Sequence, residues 1–237
     1  MIDCISVENM RISDALTIEK YVPSLELMYR AAYGVYLAND WISPVAVVVG
    51  SGNNGGDGFA LACILQEKGI ECSVFTLSQR FSADSSFYAE RAMVAGISVK
   101  SFETGYLSGF ATVVDCLLGT GFRGVPRENY RTAINAINAS GAFVVSVDIN
   151  SGMNGDSGEV ETAVRSDLTV TIGFVKNGLV SENAGCYMKR LICADIGIRL
   201  AKEENKICDA KEWEAVIGQP GYFLCPDWLD MNPIKAF

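Results

Sequence analysis

Residues 50–58 read GSGNNGGDG, between the apolar run Val45–Val49 and a helical pattern over Asp57–Lys68. Three glycines of this stretch have the spacing G-x-G-x-x-G, after a strand and before a helix, which is the context that this fingerprint requires. Glycines let backbone N–H groups approach phosphate oxygens, and the N-terminus of the helix adds partial positive charge. The loop is therefore predicted to bind an anionic ligand between the first strand of a Rossmann-like domain and the helix that follows it.

The sequence on either side of this loop alternates between strand and helix patterns. Two helices, starting near Ser6 and Ser24, are predicted before the first strand. Further strands are predicted at Glu71–Leu77, Ile97–Phe102, Ala111–Leu118, Ala142–Ile149, Leu168–Ile172 and Arg190–Ala194, and further helices at Ala83–Ala95 and Tyr130–Ala139. This rhythm predicts an α/β fold with a doubly wound, mostly parallel sheet and helices on both faces, a three-layer αβα arrangement. We expect a single domain over residues 1–237, with a core at about 6–198 and an extension at 199–237 that contains one helix, Asp209–Ile217.

Composition narrows the class of function. The net charge is −9 and no run of Lys or Arg occurs, which disfavours nucleic-acid binding. No apolar stretch approaches the about 20 residues of a membrane span, and the N-terminus lacks a signal-peptide pattern, so we expect a cytoplasmic protein without membrane contact. The eight cysteines include no CxxC pair and are expected to be reduced and buried. The chain has no histidine, which excludes Ser-His-Asp triads and His-bound zinc. Acid–base chemistry is then left to a carboxylate, Lys, Tyr or Cys.

The glycine fingerprint alone would indicate a nicotinamide oxidoreductase. Such an enzyme has an acid about 20 residues further on, at the end of the second strand, which binds the ribose. Here that strand end reads Leu77-Ser78-Gln79-Arg80 and contains no acid. The carboxylate of Asp57 would also repel a pyrophosphate, so we expect Asp57 to cap the helix instead. An NAD-dependent dehydrogenase and a SAM-dependent methyltransferase remain alternatives that share only the glycine loop.

Two further strand ends carry acidic residues. Asp115 lies within an apolar strand, where an unpaired carboxylate is costly, and is followed by a glycine-rich loop with Arg123 and Arg127. Asp148 closes another apolar strand and precedes Asn150-Ser151-Gly152. In one interpretation, Asp115 bonds the amides of its neighbouring loop, and turn chemistry explains residues 150–152. In the other, both acids face a ligand, because the carboxyl ends of the strands form the binding crevice of a doubly wound sheet.

Three strand ends together offer oxygen ligands. Asn54, Asp115 and Ser151 would supply an amide, a carboxylate and a hydroxyl oxygen. Oxygen-only ligation with a single carboxylate suits a hard cation of low charge better than it suits zinc. Asp148 is then the carboxylate left for proton transfer, and we predict it to be the catalytic residue.

The three loops resemble those of the NAD(P)H-hydrate epimerase family, the YjeF N-terminal domain. Its members carry a loop like NNGGDG, a strand end like VVDxxxGxG and a later DIPSG, and this chain has NNGGDG at 53–58, VVDCLLGTG at 113–121 and DINSG at 148–152. The resemblance covers roughly residues 6–198 and includes the two helices before the first strand. It implies an enzyme that epimerises the R and S forms of hydrated NADH and NADPH (NADHX and NADPHX) without a redox cofactor.

The resemblance also implies roles for individual residues. Substrate binding would fall to Asn53, Asn54, Gly55, Gly56, Asp57, Gly119, Thr120, Gly121, Phe122, Arg123, Gly124, Val125 and Asp148. One K⁺ per subunit would be bound by Asn54, Asp115 and Ser151, in agreement with the oxygen ligands above. Lys176 resembles a lysine that the family often has near the site, and a solvated loop lysine is the alternative.

Two departures from the family pattern bear on activity. Asn150 stands where the family has proline, and we expect this change to loosen the turn. Tyr29 and Arg30 stand where the family often has the acidic and amide residues of LMENAG. If these departures mark lost activity, the chain would be a nucleotide-binding or partner-assembly module. Otherwise we expect a homodimer that works with a separate NAD(P)HX dehydratase, the domain that many bacteria fuse to this one.

Overall fold

The computed structural model describes residues 2–204, 207–208 and 221–224. In chain order the strands are β1 (Ile2–Ile5), β2 (Val45–Val49), β3 (Cys72–Thr76), β4 (Ser98–Ser101), β5 (Thr112–Cys116), β6 (Phe143–Val147), β7 (Leu168–Ile172), β8 (Val175–Lys176), β9 (Leu191–Asp195), β10 (Ile207–Cys208) and β11 (Gly221–Leu224). The α-helices are α1 (Val7–Lys20), α2 (Ser24–Leu37), α3 (Asn53–Glu67), α4 (Ala83–Val94) and α5 (Glu128–Asn138).

The main sheet is parallel throughout. Within the described residues it has eight strands, in the order β4-β3-β2-β5-β6-β7-β9-β11, and every neighbouring pair runs in the same direction. Helices α2, α3 and α4 cover one face of this sheet, and α5 covers the other. Because β2 is buried on both faces, it is a continuous apolar run rather than an alternating one. The prediction of a doubly wound, three-layer α/β fold is confirmed.

The chain changes sides of the sheet between β4 and β5. From β2 it proceeds outward to β3 and β4, and it then returns to β5 on the other side of β2. In doubly wound sheets the ligand crevice lies outside the carboxyl ends of the strands at such a switch point. The loop at 50–58 follows β2 and the loop at 119–127 follows β5, so both lie at this crevice.

The N-terminal region contains one element that the sequence did not predict. The short strand β1 precedes α1 and α2, and it pairs with β8 and β10 in a small separate sheet. The two helices therefore precede the first strand of the main sheet, but not the first strand of the chain. A four-residue strand whose partners have two residues each carries almost no periodic pattern, and it could therefore not be predicted from hydrophobic periodicity.

Helix α3 begins earlier than predicted. It starts at Asn53 with Gly52 as its N-cap, so the prediction that Asp57 caps the helix is wrong. Packing requires glycine at two positions in its first turns: a Cβ at Gly55 would come within 2.3 Å of the carbonyl oxygen of Gly50, and one at Gly58 within 2.8 Å of Val49. Close packing of this helix against the end of β2 overrides the poor helix propensity of glycine.

Helix α1 buries a polar stripe in addition to apolar residues. Asn9, Ser13 and Thr17 are spaced one turn apart and are fully buried. Their side chains form hydrogen bonds of 2.8–2.9 Å with the backbone of residues 199–202. Ser6, the N-cap of α1, donates from its hydroxyl to a carboxylate oxygen of Glu204 at 2.6 Å. The start of the predicted extension is thus fastened along α1.

The remaining sequence predictions concern boundaries, cysteines and membrane contact. Helix α2 begins at Ser24 as predicted, but Pro23 is its N-cap and no side chain caps it. The predicted helix Asp209–Ile217 lies outside the described residues. Among the described cysteines, Cys186 is exposed, against the prediction, and the others are buried. In the described part of the chain, no helix is long and apolar enough to cross a membrane.

Candidate functional site

A cleft of about 710 Å³ opens at the switch point of the sheet. Its floor is formed by the carboxyl ends of β2, β5, β6 and β7, and its walls include α1 and α2. Of the residues predicted to bind substrate, those that line it are Asn53, Asn54, Asp57, Gly119, Thr120, Gly121, Phe122, Arg123, Val125 and Asp148. Three others, Gly55, Gly56 and Gly124, are not part of the lining. Asp115 and Ser151 are fully buried next to it.

The fingerprint glycines serve packing more than ligand approach. A Cβ at Gly50 would lie 2.0 Å from the carbonyl oxygen of Leu117, and one at Gly55 would lie 2.3 Å from the carbonyl oxygen of Gly50. Either side chain would push the loop away from the end of β5. Only Gly52 among the three has open space around it. The G-x-G-x-x-G match therefore indicates a tight turn that packs against the end of β5.

Asp115 is held by a complete set of donors. Its Oδ1 accepts from Ser151 Oγ at 2.5 Å and from Leu117 N at 3.2 Å. Its Oδ2 accepts from Ser151 N at 2.9 Å and from Ser146 Oγ at 3.0 Å. Burial raises the pKa of Asp115, while these hydrogen bonds act in the opposite direction. The carboxylate thus ties the end of β5 to the loop after β6.

Asn54 and Ser151 both form hydrogen bonds with the backbone of Leu118. Asn54 Nδ2 donates to Leu118 O at 3.1 Å, and Ser151 Oγ accepts from Leu118 N at 2.9 Å. The other amide atom of Asn54, Oδ1, is buried and has no hydrogen-bond partner among the described residues. A buried acceptor without a partner is costly, so Asn54 Oδ1 calls for a positively charged or donating ligand.

Asp148 is the only described residue other than glycine with a positive φ, at 68°. Its carboxylate accepts from Lys176 Nζ, an ion pair in which the lysine side chain is 1% exposed and the aspartate side chain is 15% exposed. Lys176 Nζ also donates to Ile172 O at 2.7 Å and to Thr171 Oγ1 at 3.1 Å. Lys176 is therefore a buried partner of Asp148, and the alternative of a solvated loop lysine is wrong. Backbone strain at a residue that lines a cleft is typical of functional sites.

Two more carboxyl groups share this end of the cleft. Burial, followed by the charges of Asp148 and Asp14, raises the pKa of Asp57 well above its usual range. Burial and then the charge of Asp148 also raise the pKa of Asp14, and Lys176 acts against both shifts. Asp14 comes from α1 and was missed by the sequence reasoning. No local pattern distinguishes it, because its approach to the cleft depends on how α1 docks.

The departures from the family pattern have local explanations. Tyr29 and Arg30 do not line the cleft, although their neighbours Leu27 and Met28 do. Tyr29 is buried, and Arg30 forms an ion pair of 2.5 Å with Glu26. These two substitutions therefore leave the walls of the cleft intact.

The expectation that Asn150 loosens its turn is wrong. Its fully buried side chain donates to the backbone oxygens of Val164 and Tyr187 at 3.0 and 2.9 Å. It also bonds the hydroxyls of Ser166 and Thr169 at 3.0 and 2.7 Å. An asparagine can thus fasten the loop by hydrogen bonds where a proline would restrict its own φ.

Comparison with known families decides what kind of protein presents this cleft. The family model of the YjeF-related protein N-terminus matches residues 24–178. The chain belongs to this family. The matched range contains all three loops and Lys176, so the cleft floor is the part of the molecule that the YjeF-related family shares.

Named relatives extend the match over most of the chain. The NAD(P)H-hydrate epimerase of Lentilactobacillus buchneri is 35% identical over 206 residues, which are 84% of this chain and 96% of that protein. The NAD(P)H-hydrate epimerase of Rhodopirellula baltica is 34% identical over 81% of this chain and 84% of its own length. The bifunctional NAD(P)H-hydrate repair enzyme Nnr of Coxiella burnetii is 33% identical over 87% of this chain, which corresponds to 44% of that protein.

A solved structure supports the fold. The crystal structure of the yeast protein ynu0 superimposes with a TM-score of 0.70 and 20% sequence identity, over 86% of this chain and 97% of that one. At this identity the likeness shows the fold alone.

Proposed function

We propose that the cleft is where this chain, an isomerase of the NAD(P)H-hydrate epimerase family, interconverts the R and S forms of NADHX and NADPHX. The observation that carries the proposal is Asp148, a strained carboxylate that faces the cleft and is paired with the buried Lys176. Strain and a desolvated ion pair are maintained only where the surrounding structure over-determines them. A residue kept in this state at the switch point of the sheet is placed for chemistry.

Epimerisation at C6 of the hydrated ring needs proton transfer but no redox step. The C6–O bond breaks with its electron pair on oxygen, which takes a proton from a carboxyl group, while the ring nitrogen forms an iminium bond to C6. Water then adds to C6 from the other face and gives a proton back to a carboxylate. We assign this exchange to Asp148, whose ion pair with Lys176 holds it in one orientation.

Asp57 is suited to be a second acid in the same cleft. Burial and then the charges of Asp148 and Asp14 raise the pKa of Asp57, so a larger share of it is protonated than of an ordinary aspartate. A protonated Asp57 also removes the repulsion between this side chain and a pyrophosphate.

The dinucleotide would lie along the cleft from this acid–base end. Helix α3 begins in the cleft and has no side-chain cap, so its first N–H groups remain for a phosphate. Arg123 and Arg127 line the cleft and add positive charge. These features support binding of a phosphorylated ligand by a chain that is acidic overall.

The donor set at Asn54 fits a monovalent cation. Asn54 Nδ2 is linked to Ser151 and Asp115 by hydrogen bonds through Leu118, while the amide oxygen of Asn54 has no partner among the described residues. We propose that Asn54, Asp115 and Ser151 bind K⁺. When bound, the ion would supply positive charge that orders the three loops and offsets the charge of the substrate phosphates.

A coupled assay tests the proposed function. R-NADPHX is mixed with a dehydratase specific for the S epimer, and its consumption is followed with and without this protein. We expect acceleration by the wild type, a loss of at least about 100-fold in Asp148→Asn, and no loss in Asp40→Asn, an exposed carboxylate away from the cleft. Binding of the dinucleotide without any acceleration would instead support a non-catalytic module.

The oxygen of the product tests the chemical route. In water labelled with ¹⁸O, loss and re-addition of the hydroxyl places the label on C6 of the S epimer during enzymatic conversion. An S epimer that keeps its original oxygen contradicts this route, even where conversion occurs.

As partners we propose a separate dehydratase, which would use the S epimer, and a second copy of this chain in a homodimer. Sedimentation of the purified protein tests the homodimer.

A further inference from the structure

Asn150 lies between two residues of the proposed site. It follows Asp148 by two positions and directly precedes Ser151, and it is fully buried. The proposed function gives Asp148 proton transfer and gives Ser151 cation binding. The hydrogen bonds of Asn150 go to neither, and its amide is not part of the cleft lining.

The side chain of Asn150 joins three separate segments of the fold. The two hydrogens of Nδ2 are shared among three acceptors, Val164 O (3.0 Å), Ser166 Oγ (3.0 Å) and Tyr187 O (2.9 Å), while Oδ1 accepts from Thr169 Oγ1 (2.7 Å). The hydroxyls of Ser166 and Thr169 bond each other at 2.8 Å. A buried polar network in which every member is satisfied is rigid and specifies one arrangement.

The turn that this network supports is strained. Ile149 N donates to Val147 O at 2.8 Å, which closes a γ-turn around Asp148 with its φ of 68°. The adjacent strand β7 ends in a similar turn around Gly173, with a φ of 73° and a closing bond of 2.9 Å. Glycine adopts this conformation freely, whereas an aspartate is held in it only by its surroundings. The same turn is thus relaxed on β7 and strained on β6.

The loop after Asp148 is also held by Ser151. Ser151 O accepts from Val164 N at 3.0 Å, next to the bond that Asn150 makes to Val164 O. Ser151 N in turn donates to Asp115 Oδ2 at 2.9 Å. Loss of the Asn150 amide would remove every side-chain bond from this loop to Val164, Ser166, Thr169 and Tyr187. The backbone bonds from Val164 N to Ser151 O and from Asp148 N to Val170 O (2.7 Å) would remain, and the strained turn at Asp148 would be held less firmly.

We propose that Asn150 is the positioning residue that holds Asp148 and Ser151 in the arrangement that epimerisation requires. The proposal rests on the proposed function of Asp148. Asn150 acts through the backbone on both of its sides, and it touches neither substrate nor cation. A proline at this position would restrict its own φ but would supply no side-chain donor. In this chain, side-chain hydrogen bonds of Asn150 stabilise the strained turn instead.

The variant Asn150→Ala tests the proposal against a matched control. Asn138 also binds the connection before β7, residues 163–166, which contains two partners of Asn150. It donates to Ala163 O at 3.0 Å and accepts from Arg165 N at 2.7 Å. Asn138→Ala therefore removes side-chain bonds to this connection without touching the turn. We expect Asn150→Ala to lower kcat by about 10-fold or more with a much smaller change in KM, because a displaced base weakens the chemical step more than binding. We expect Asn138→Ala to retain kcat.

Hydrogen exchange gives a second measurement that needs no activity. The amides of Asp148 and Ile149 should exchange faster in Asn150→Ala than in the wild type, and at the wild-type rate in Asn138→Ala. If Asn150→Ala does not fold, Asn150→Asp, which keeps the acceptor for Thr169 but loses the donors, is expected to show the same two changes.

The outcomes separate this inference from the proposed function. An Asn150 variant with wild-type kcat and wild-type exchange at the turn overturns the inference. Equal losses in the Asn150 and Asn138 variants overturn it as well, because the effect would then follow from general destabilisation. If the wild type itself fails to convert the R epimer, the proposed function is wrong, and the exchange rates still show whether Asn150 holds the turn.

Discussion

Asp148 and Lys176 form an ion pair that is largely removed from water. All three donors of the ammonium group are engaged within the protein, since Nζ bonds Asp148, Thr171 and Ile172. Removal of one partner leaves the other charge without compensation, which typically costs about 3–5 kcal/mol. We predict that Lys176→Met lowers the free energy of unfolding by about 3 kcal/mol. This value is at the lower end of that range because the side chain of Asp148 is partly exposed. Urea denaturation measures this change.

A double variant separates the ion pair from simple loss of packing. Lys176→Met combined with Asp148→Asn should recover part of the lost stability, because no uncompensated charge remains. A double variant that is no more stable than Lys176→Met would show that the pair itself contributes little.

Asp57 gives a prediction about pH. Burial, then the charges of Asp148 and Asp14, raises its pKa well above the usual 3.8. Because the folded-state pKa is raised, the stability that its proton provides is fully present below about pH 3.8 and is lost as the pH rises through the folded pKa. Asp57→Asn has no such loss. Its melting temperature should match that of the wild type in acid and exceed it increasingly toward neutral pH. A difference that does not change with pH would contradict this.

The residues of the site were predictable to different degrees. Asp115, Asp148 and Ser151 could be found because they interrupt or follow apolar strands, whose carboxyl ends meet at one edge of a parallel sheet. Asp14 could not, since only the docking of α1 brings it to the cleft. Asn150 was found but misjudged, because its partners are distant in sequence and turn chemistry considers only neighbours.

At the scale of elements, helix α1 depends on polar contacts that its sequence pattern hides. Ser13 Oγ accepts from Ala201 N at 2.9 Å and is fully buried. Without this acceptor the half-buried N–H of Ala201 would lose its partner, which costs about 1 kcal/mol, the lower end of the range for buried donors. We predict that Ser13→Ala lowers the free energy of unfolding by this amount, whereas Glu19→Ala, on the exposed face of the same helix, changes it little. A wild-type stability for Ser13→Ala would contradict the role of this contact.

The elements themselves followed from hydrophobic periodicity where they were long. Strands β2 and β7 have the predicted bounds. Strand β2 is a continuous apolar run buried on both faces, and β7 is rich in β-branched residues, which favour strands. Helix α3 begins at Asn53 and not at the predicted Asp57. Glycine has a poor helix propensity, and the packing that places glycines inside this helix cannot be seen in the sequence. The short strand β1 was missed because its pairing with β8 is a tertiary contact.

At the scale of the whole molecule, the loops after β2, β5 and β6 should be tied together by a cation. A ligand that binds only the folded state raises its stability in proportion to the logarithm of its concentration over Kd. We predict a higher melting temperature in KCl than in choline chloride of equal ionic strength. The difference should disappear in Asn54→Ala and persist in Asn53→Ala, whose side chain is exposed. Equal melting of the wild type in both salts would contradict the cation site.

The most direct measurement is the conversion of purified R-NADPHX to the S epimer, followed by chromatography with no other enzyme present. The wild type should bring the two epimers to equilibrium well ahead of the buffer reaction. Asp148→Asn, with its fold verified, should be no faster than buffer. Conversion by Asp148→Asn at the wild-type rate would contradict the assignment of the strained carboxylate at the switch point as the catalytic group.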